Sequence, residues 1–425
     1  MTSTIRSRGP RPLSVALVSE HASPLATLGT VDAGGQNVHV ACLAGALADR
    51  GHQVAVYTRR DTPGLPDVVE LRPGVRVHHV PAGPPRHVAK DQLLPHMGAF
   101  GQWLLEEWRA RPPDVVHSHF WMSGVAALIA VRDLKLPFLH TYHALGTVKR
   151  RHQGAEDTSP RQRIAYERDI GLRCDRVLAT CRDEVAELVR MGVPAGQADV
   201  VPCGVDPQRF RPDGPSAARD PRYRHRLLQL GRLVPRKGTA VSIAALARIP
   251  DAELVVVGGP PAGPLDEDPE ARRLRRLARE AGVEDRVSFL GGLTGEEVPA
   301  VLRSADVVLC PADYEPFGIV PLEAMACGRP VVASAVGGQL DTVVPGQTGL
   351  LVPPGDPAAL AGAVAQLLAR PAVRASYGAA ARSRALALYG WDRVAGATER
   401  SYRSVRAARR SPAGPRPRPA RTAAV

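Results

Sequence analysis

Short runs rich in Val, Leu and Ile alternate with helix-like stretches along almost the whole chain, and this alternation constrains the fold most strongly. In the helix-like stretches, apolar residues recur at helical spacing, as Val38, Cys42 and Leu43 do. The predicted strands are Leu13–Ser19, Gln53–Thr58, Val75–Val80, Asp114–His119, Pro137–Tyr142, Arg176–Thr180, Asp199–Pro202, Arg226–Leu230, Glu253–Val257, Val287–Leu290, Val307–Cys310, Pro330–Ala333 and Gly349–Val352. Strands that alternate with helices predict an α/β fold with parallel sheets covered on both faces.

The alternation is interrupted once, at Gly204–Pro215, a segment rich in Pro, Gly and Asp that predicts an interdomain linker. A chain of 425 residues also exceeds what one hydrophobic core usually organises. We therefore predict two Rossmann-like domains, residues 12–205 and 206–390, that face each other across a cleft. A helix over residues 391–410 is expected to cross back to the first domain, and the basic tail over residues 411–425 is expected to be disordered.

Basic residues exceed acidic ones, and the formal net charge is +13. Much of the excess lies near the two ends, in Arg6, Arg8 and Arg11 and in an arginine-rich tail among Pro, Ala and Gly. Because such tails are usually disordered, their charge is weak evidence for a nucleic-acid partner, and we predict none. A weak peripheral contact between the tails and an anionic membrane surface stays open, as does the oligomeric state.

Cysteine usage and hydropathy both favour a cytoplasmic protein. The six cysteines form no C-x-x-C pair, which predicts reduced and mostly buried thiols. The run Leu13–Ser19 follows a basic start as a signal peptide would, but Glu20 and His21 interrupt it at once, so it predicts a first buried strand. No apolar run approaches about 18 residues, so no membrane-spanning helix is predicted.

The segment Glu315–Gly328, EPFGIVPLEAMACG, carries the strongest functional signal and directly follows a predicted strand. A helix is predicted to begin at Phe317, Gly318 and Ile319, and the free amide groups of a helix start attract anions. Two turns into this helix, Glu323 can reach a diol such as a ribose. Glu315, in the loop before the helix, can accept hydrogen bonds from sugar hydroxyls. The pattern predicts a nucleotide-sugar site.

Two other loops at predicted strand ends have the chemistry of phosphate sites. Arg232 and Lys237 lie five residues apart on a loop that enters a helix, where two cations can neutralise a diphosphate; the alternative is a solvated basic loop. Gly34 and Gly35 follow the first strand and begin a helix, where the absence of a side chain lets a ligand approach the backbone; the alternative is a plain turn.

Together these motifs resemble those of the retaining GT-B glycosyltransferases of family 4. The segment EPFGIVPLEAMACGRPVVAS resembles the donor-site signature of that family. GRLVPRKG at Gly231–Gly238, GGQNV at Gly34–Val38, DVVHSH at Asp114–His119 and HTYH at His140–His143 match its other elements in order. The resemblance covers roughly residues 13–400 and is nearest to the inositol-phosphate N-acetylglucosaminyltransferase and sucrose-phosphate synthase-like branch.

The resemblance implies an enzyme that transfers a hexose from a nucleotide-diphosphate sugar, with UDP-sugars favoured, and that needs no cofactor. It implies catalytic roles for His143, Glu315, Arg232 and Lys237. The donor-binding residues are expected to be Gly34, Gly35, Arg232, Lys237, Glu315, Phe317, Gly318, Ile319 and Glu323. The acceptor-binding residues are expected to be Asn37, Lys90, His119, Phe120, Lys149 and Arg163. Since no carboxylate is placed beneath the reactive carbon, we expect front-face transfer assisted by the leaving diphosphate.

Histidines in the first half suggest a metal pair, but we predict no metal site. His117 and His119 alternate on one strand, and His140 and His143 lie nearby in sequence. No carboxylate or cysteine completes the set, and no D-x-D pair lies at a strand end. His119 is instead expected to line the cleft. Elsewhere, Glu253 has the ordinary pattern of a solvated residue.

The acceptor is indicated less clearly than the donor. In the inositol-phosphate branch, the resemblance implies a Tyr after the HSH element and a Thr after the histidine equivalent to His143. Here those positions are Phe120 and Ala144, so two hydroxyls are missing. A basic run that begins at Lys149, together with Lys90, predicts contact with a phosphorylated polyol or sugar; the alternative is a solvated rim.

Other functional classes stay open at this point. One alternative is a GDP-mannose-dependent mannosyltransferase that acts on a lipid-linked acceptor at the membrane surface. Others are a phosphorylase or nucleotide-sugar epimerase of the same fold, and a non-catalytic nucleotide-sugar binding protein. A Rossmann oxidoreductase is disfavoured because no G-x-G-x-x-G motif follows the first strand.

Overall fold

The computed structural model describes residues 11–26, 34–260 and 263–410. The predicted disordered tail, residues 411–425, and Arg6 and Arg8 near the start lie outside these residues. No helix among the described residues is long and apolar enough to cross a membrane. All six cysteines have free thiols, and five of them are buried.

The first half of the chain forms an eight-stranded sheet with the order β3-β4-β2-β1-β5-β6-β7-β8. Its strands are β1 (Ser14–Val18), β2 (Gln53–Arg59), β3 (Val68–Arg72), β4 (Val75–Val80), β5 (Val115–His119), β6 (Phe138–Thr141), β7 (Arg176–Ala179) and β8 (Ala198–Val200). Seven of these strands lie close to the predicted runs. The exception is β3, which sequence analysis missed and which pairs antiparallel with β4 at the sheet edge. The other seven strands pair in parallel as predicted, and β3 adds one antiparallel strand at this edge.

In the described part of the first half, the helices are α1 (Gly35–Asp49), α2 (Met97–Ala110), α3 (Trp121–Leu134), α4 (Gly146–Gln153), α5 (Arg163–Arg173) and α6 (Arg182–Arg190). A large apolar core packs α2 and α3 against the sheet, and it contains the fully buried rings of Phe100, Trp108 and Trp121. Burial of this apolar surface is the main stabilising contribution to the domain.

The second half forms a separate six-stranded parallel sheet with the order β11-β10-β9-β12-β13-β14. Its strands are β9 (His225–Leu230), β10 (Ala252–Val257), β11 (Val287–Gly291), β12 (Val307–Cys310), β13 (Val331–Ser334) and β14 (Gly349–Val352). Its helices are α7 (Thr239–Leu246), α8 (Pro269–Glu280), α9 (Glu297–Ser304), α10 (Ile319–Ala326), α11 (Gln339–Thr342), α12 (Pro357–Leu368) and α13 (Pro371–Leu388). Glu253 on β10 is buried and pairs with Arg226 at 2.8 Å, so its reading as a solvated residue was wrong.

The last described helix, α14 (Trp391–Arg410), packs against the first sheet and not against the second. Its Tyr402 is buried and meets His117, with the hydroxyl 2.8 Å from Nδ1. Glu399 accepts a hydrogen bond from Arg50 at 2.9 Å. Just before this helix, a β-bridge joins Val205 to Gly390, so the two chain crossings between the sheets lie side by side.

Both sheets have a point where the strand order reverses, and such points are where ligands bind in open α/β folds. In the first sheet β1 lies between β2 and β5, and in the second β9 lies between β10 and β12. The loops that leave the carboxyl ends of β1, β5, β9 and β12 therefore surround the region where a ligand is expected.

Candidate active site

The loop after β12 is held in place by a close backbone contact. Gly337 has a φ of 49°, and a Cβ atom there would lie 2.0 Å from the carbonyl oxygen of Glu315. The amide of Gly338 donates a hydrogen bond to that same oxygen at 3.0 Å. Gly318, at a φ of 87°, then turns the chain into α10. The position of Glu315 relative to the start of α10 is therefore set by backbone contacts, and only glycine fits at residue 337.

Lys237 lies directly beside this loop and forms an ion pair with Glu315. The turn that carries Lys237 is fixed by Gly238, where φ is 71° and a Cβ atom would lie 1.9 Å from the carbonyl oxygen of Pro311. Burial raises the pKa of Glu315, but the nearby cations of Lys237, Arg236 and Arg232 outweigh burial and hold it below its usual value. The pair is therefore charged, and the ammonium group lies near the start of α10.

Arg232 follows β9 on the same loop and has an exposed side chain. The positive charge of Arg232 helps to lower the pKa of Glu315 in the second domain. It also contributes, after burial and other charges, to the lowered pKa of Lys90 in the first domain. Arg232, Lys237 and the amides at the start of α10 thus concentrate positive charge beside Glu315.

Glu323 lies one turn inside α10 and is partly buried. Burial raises its pKa to about 7, against a smaller opposing effect of Arg209. A carboxyl group with this pKa gains from hydrogen-bond donors that stabilise its ionised form, as two vicinal hydroxyls would.

Across the cleft, the start of α1 faces the start of α10. A Cβ atom on Gly35 would lie only 3.2 Å from the Cδ1 atom of Ile319, so a larger residue would crowd this contact. Asn37 caps α1, since its Oδ1 accepts from the amide of Gly34 at 3.0 Å and its Nδ2 donates to the carbonyl of Ser23 at 3.0 Å. The buried Asn37 amide is thus occupied by protein partners.

His143 follows β6 with a φ of 60°, an uncommon backbone conformation for a residue with a side chain. Its Nε2 lies 3.0 Å from Nδ1 of His119, and the His39 ring lies 4.9 Å away between centroids. Burial, together with neighbouring histidines, lowers the pKa of His143 well below its usual value, so the ring is neutral. His143 therefore lines the cleft as a neutral hydrogen-bonding group.

His117 and His140, the other two histidines considered in the sequence, lie in different environments. His117 contacts Tyr402 through Nδ1 and Thr141 through Nε2, and His140 contacts Ser118 at 2.6 Å. The cluster is formed instead by His39, His119 and His143, whose ring nitrogens lie within 4.8 Å of one another. The sequence did not point to His39 as a neighbour of His119 and His143, because it lies far from both along the chain.

Basic residues surround Phe120 on the acceptor side. Lys90 lies 5.4 Å and Arg163 5.2 Å from the centre of its ring. Phe120 has a φ of 75°, a second unusual backbone angle at the cleft. Burial is the main cause of the lowered pKa of Lys90, and within the described part of the chain Lys90 makes no ion pair.

The remaining acceptor-side cations have partners within the protein. Lys149 pairs with Asp157 at 2.9 Å. Arg163 is buried, pairs with Glu167 at 2.7 Å and donates to the carbonyl of Ala144 at 2.7 Å. These two residues lie where the basic run was expected, but their charge is largely balanced.

A cavity of about 240 Å³ opens between the domains on the far side of Glu315. Its wall includes Ala144, Cys181 and Gly337, and it does not include Lys90, Lys149 or Arg163. Sequence analysis missed this interface. Cys181 donates to the carbonyl oxygen of Pro316 at 3.2 Å, and its spacing from other cysteines offers no signal for that contact.

Comparison with known proteins identifies the family of this chain. The family model for glycosyltransferase family 4 matches residues 33–209, and the model for glycosyl transferases group 1 matches residues 219–384. D-inositol 3-phosphate glycosyltransferase 2 of Catenulispora acidiphila is 39% identical over 408 residues, which cover 92% of this chain and 95% of the relative. The chain belongs to glycosyltransferase family 4. A D-inositol 3-phosphate glycosyltransferase of Stackebrandtia nassauensis is also 39% identical, over 97% of this chain and 96% of that relative.

Solved structures confirm the fold of this family 4 glycosyltransferase. Sucrose-phosphate synthase from Thermosynechococcus elongatus is 35% identical, with a TM-score of 0.84 over 93% of this chain and 99% of that chain. HepE of Anabaena, solved in complex with UDP and glucose, is 20% identical with a TM-score of 0.70 over 92% of this chain and 100% of that chain. The predicted GT-B fold and glycosyltransferase activity are therefore confirmed. The predicted domain boundaries and residue roles stay predictions.

Proposed function

We propose that this glycosyltransferase moves a hexose from a UDP-sugar to a small phosphorylated polyol or sugar, with retention of anomeric configuration and without a metal ion. The observation that carries the proposal is the convergence of Lys237, Arg232 and the start of α10 at the point where the second sheet reverses its strand order. Such a cluster of cations and backbone amides suits a diphosphate leaving group.

The donor would lie along the second domain with its diphosphate at the start of α10. Glu323, one turn further, would then accept hydrogen bonds from the ribose hydroxyls. Glu315 lies in the loop before the helix, beside Lys237, where the transferred sugar would extend. His143 would meet the same sugar from the first domain. Domain contacts such as the one between Cys181 and Pro316 would help exclude water from the reaction centre.

Transfer would proceed on one face of the sugar. The bond between the anomeric carbon and the diphosphate oxygen breaks while the acceptor oxygen bonds to that carbon, and the leaving phosphate takes the acceptor's proton. Arg232 and Lys237 would stabilise the charge that develops on the leaving group, and Glu315 and His143 would hold the sugar hydroxyls. These cations are placed to do what a metal ion does in other transferases, which supports the proposal that no metal is needed.

The proposed acceptor rests on the relatives and on Lys90. The two named relatives are D-inositol 3-phosphate glycosyltransferases, and the structural neighbour is a sucrose-phosphate synthase, so all three names contain a phosphorylated small molecule. In this chain, Lys90 lies on the acceptor side and makes no ion pair among the described residues. We therefore assign the acceptor phosphate to Lys90, with Lys149 and Arg163 shaping the pocket around it.

Phe120 and Ala144 affect how the rest of the acceptor is held. Neither side chain can donate a hydrogen bond, so the polyol hydroxyls must find other partners. The Phe120 ring lies near both Lys90 and Arg163, and of these two cations only Lys90 makes no ion pair among the described residues. The proposal is thus a phosphorylated acceptor whose remaining hydroxyls are held differently from what the resemblance implies.

A matched pair of lysine variants tests the acceptor. We expect Lys90→Gln to raise the KM for inositol phosphate about tenfold or more, because a charge-assisted contact is lost. The exposed Lys135→Gln, on the far end of α3, is the control and should change nothing. Steady-state kinetics with inositol phosphate and with free inositol measure both effects. Equal use of the two acceptors by the wild type, with Lys90→Gln silent, would contradict the assignment.

A further inference from the structure

Three histidine rings meet at the cleft, and among the described residues no carboxylate joins their cluster. His39 lies on α1, His119 ends β5 and His143 follows β6, so three separate elements bring them together. Ring nitrogens of all three lie within 4.8 Å of one another, and Nδ1 of His119 is 3.0 Å from Nε2 of His143. Ligand nitrogens around a tetrahedral zinc ion lie about 3.3 Å apart, given bonds of about 2.0–2.1 Å. The pair His119–His143 is already within that spacing, and His39 lies within 4.8 Å of both.

The rings are also prepared as ligands. His39 and His119 are buried, and within the described part of the chain one nitrogen of each ring, Nδ1 of His39 and Nε2 of His119, has no hydrogen-bond partner. The other nitrogen of His119, Nδ1, is the one that faces His143. A buried polar atom without a partner is costly, so such atoms are rare unless they have a ligand or a role. Burial lowers the pKa of His39 to about 4, and burial with nearby histidines lowers the pKa of His119 well below its usual value. Neutral imidazole is the form that binds metal ions.

We propose that His39, His119 and His143 form a binding site for a divalent transition metal of the zinc class. Imidazole nitrogens suit zinc, cobalt, nickel and copper, whereas magnesium and calcium need oxygen ligands that this cluster lacks. His143 is only partly buried, so the fourth coordination position faces the cleft. The ring of Trp391 packs edge-on against His39 at 5.4 Å and closes the other side.

The site inhibits transfer when it is occupied. A metal ion on His143 would withdraw that ring from the donor sugar and place a dication in the sugar's path. This effect on activity rests on the proposed function, in which His143 contacts the sugar. Metal binding itself does not depend on that function, since no donor or acceptor takes part.

Cobalt binding to the tag-free, full-length protein tests the site directly. We expect one equivalent of Co²⁺ to give the visible absorption of a tetrahedral nitrogen site, and Zn²⁺ to displace it. The variant His39→Gln should weaken Co²⁺ binding at least about a hundredfold, because removal even of an outer-shell partner costs about 10–100-fold. The exposed His87→Gln is the matched control and should bind like the wild type.

Two further measurements make the result decisive. If His39→Gln loses its native melting transition, His39→Phe keeps a ring of similar size in the same pocket and replaces it. We also expect micromolar Zn²⁺ to inhibit transfer reversibly in the wild type but not in the His39 variant. Absence of stoichiometric Co²⁺ binding, or equal binding by wild type and His39 variants, would overturn the site. Tight binding with unchanged activity would keep the site and instead contradict the placement of His143 at the sugar.

Discussion

Lys237→Ala is expected to lower kcat for sugar transfer about 10²-fold or more, and Arg232→Ala is expected to act in the same direction. The reason is that both cations would stabilise the charge on the departing diphosphate, and a lost preorganised contact of this kind costs about 10²–10³-fold in rate. Steady-state kinetics with saturating acceptor measure the effect, and isothermal titration of UDP measures the accompanying loss of binding.

Lys237→Ala also leaves the partly buried carboxylate of Glu315 without its ion-pair partner, so this variant requires a control. A double-mutant cycle with Glu315→Gln separates the two effects. If Lys237 serves the diphosphate, its removal still slows transfer strongly in the Glu315→Gln background. If Lys237 only balances Glu315, the second substitution costs little, and the assignment of Lys237 to the leaving group is wrong.

Substitutions of the two glutamates of the donor site are expected to change different kinetic constants. Glu315→Ala should lower kcat about 10²-fold, since Glu315 would hold the reacting sugar as the anomeric bond breaks. Glu323→Ala should chiefly weaken donor binding, by about tenfold, since Glu323 would hold the ribose. Separate kcat and donor KM values distinguish the two outcomes.

The exposed Glu296, at the start of α9, offers a matched control, and Glu296→Ala should have no effect on either constant. Circular dichroism should show native folding for all three variants. A loss of kcat with Glu323→Ala and a loss of donor affinity with Glu315→Ala would reverse the assigned roles. If neither Glu315→Ala nor Glu323→Ala changed kcat or the donor KM, the proposal that the donor binds at the start of α10 would be wrong.

Local pattern was enough to predict most of the fold. The parallel strands of both sheets are apolar runs buried on both faces, such as Val307–Cys310, and such runs are clear in sequence. Strand β3 was missed because its Val68–Arg72 sequence is largely exposed and pairs at the sheet edge, where burial leaves little apolar signal. Glu253 was misread for a related reason, since its partner Arg226 is on a neighbouring strand.

The donor side was predictable because its residues are grouped in short motifs, as Glu315 and Glu323 are. The histidine cluster was not, because His39 reaches it from α1 across a sequence separation of 80 residues from His119. Charge balance on the acceptor side also depends on distant partners. Lys149 and Arg163 are both basic residues, but both have partners in the folded chain. Lys149 forms an ion pair with Asp157, and Arg163 pairs with Glu167 and donates a hydrogen bond to Ser159. Motifs therefore identify the donor site, whereas partners decide which acceptor-side cations are available.

The anomeric configuration of the product, measured by NMR during transfer to inositol phosphate with EDTA present, tests front-face transfer without a metal ion. UDP- and GDP-sugars are compared in the same assay. We expect transfer from the UDP-sugar at an undiminished rate, with a product that keeps the donor's anomeric configuration. An inverted product, or activity that disappears with EDTA and returns only with an added divalent ion, would contradict front-face transfer by Arg232, Lys237 and α10.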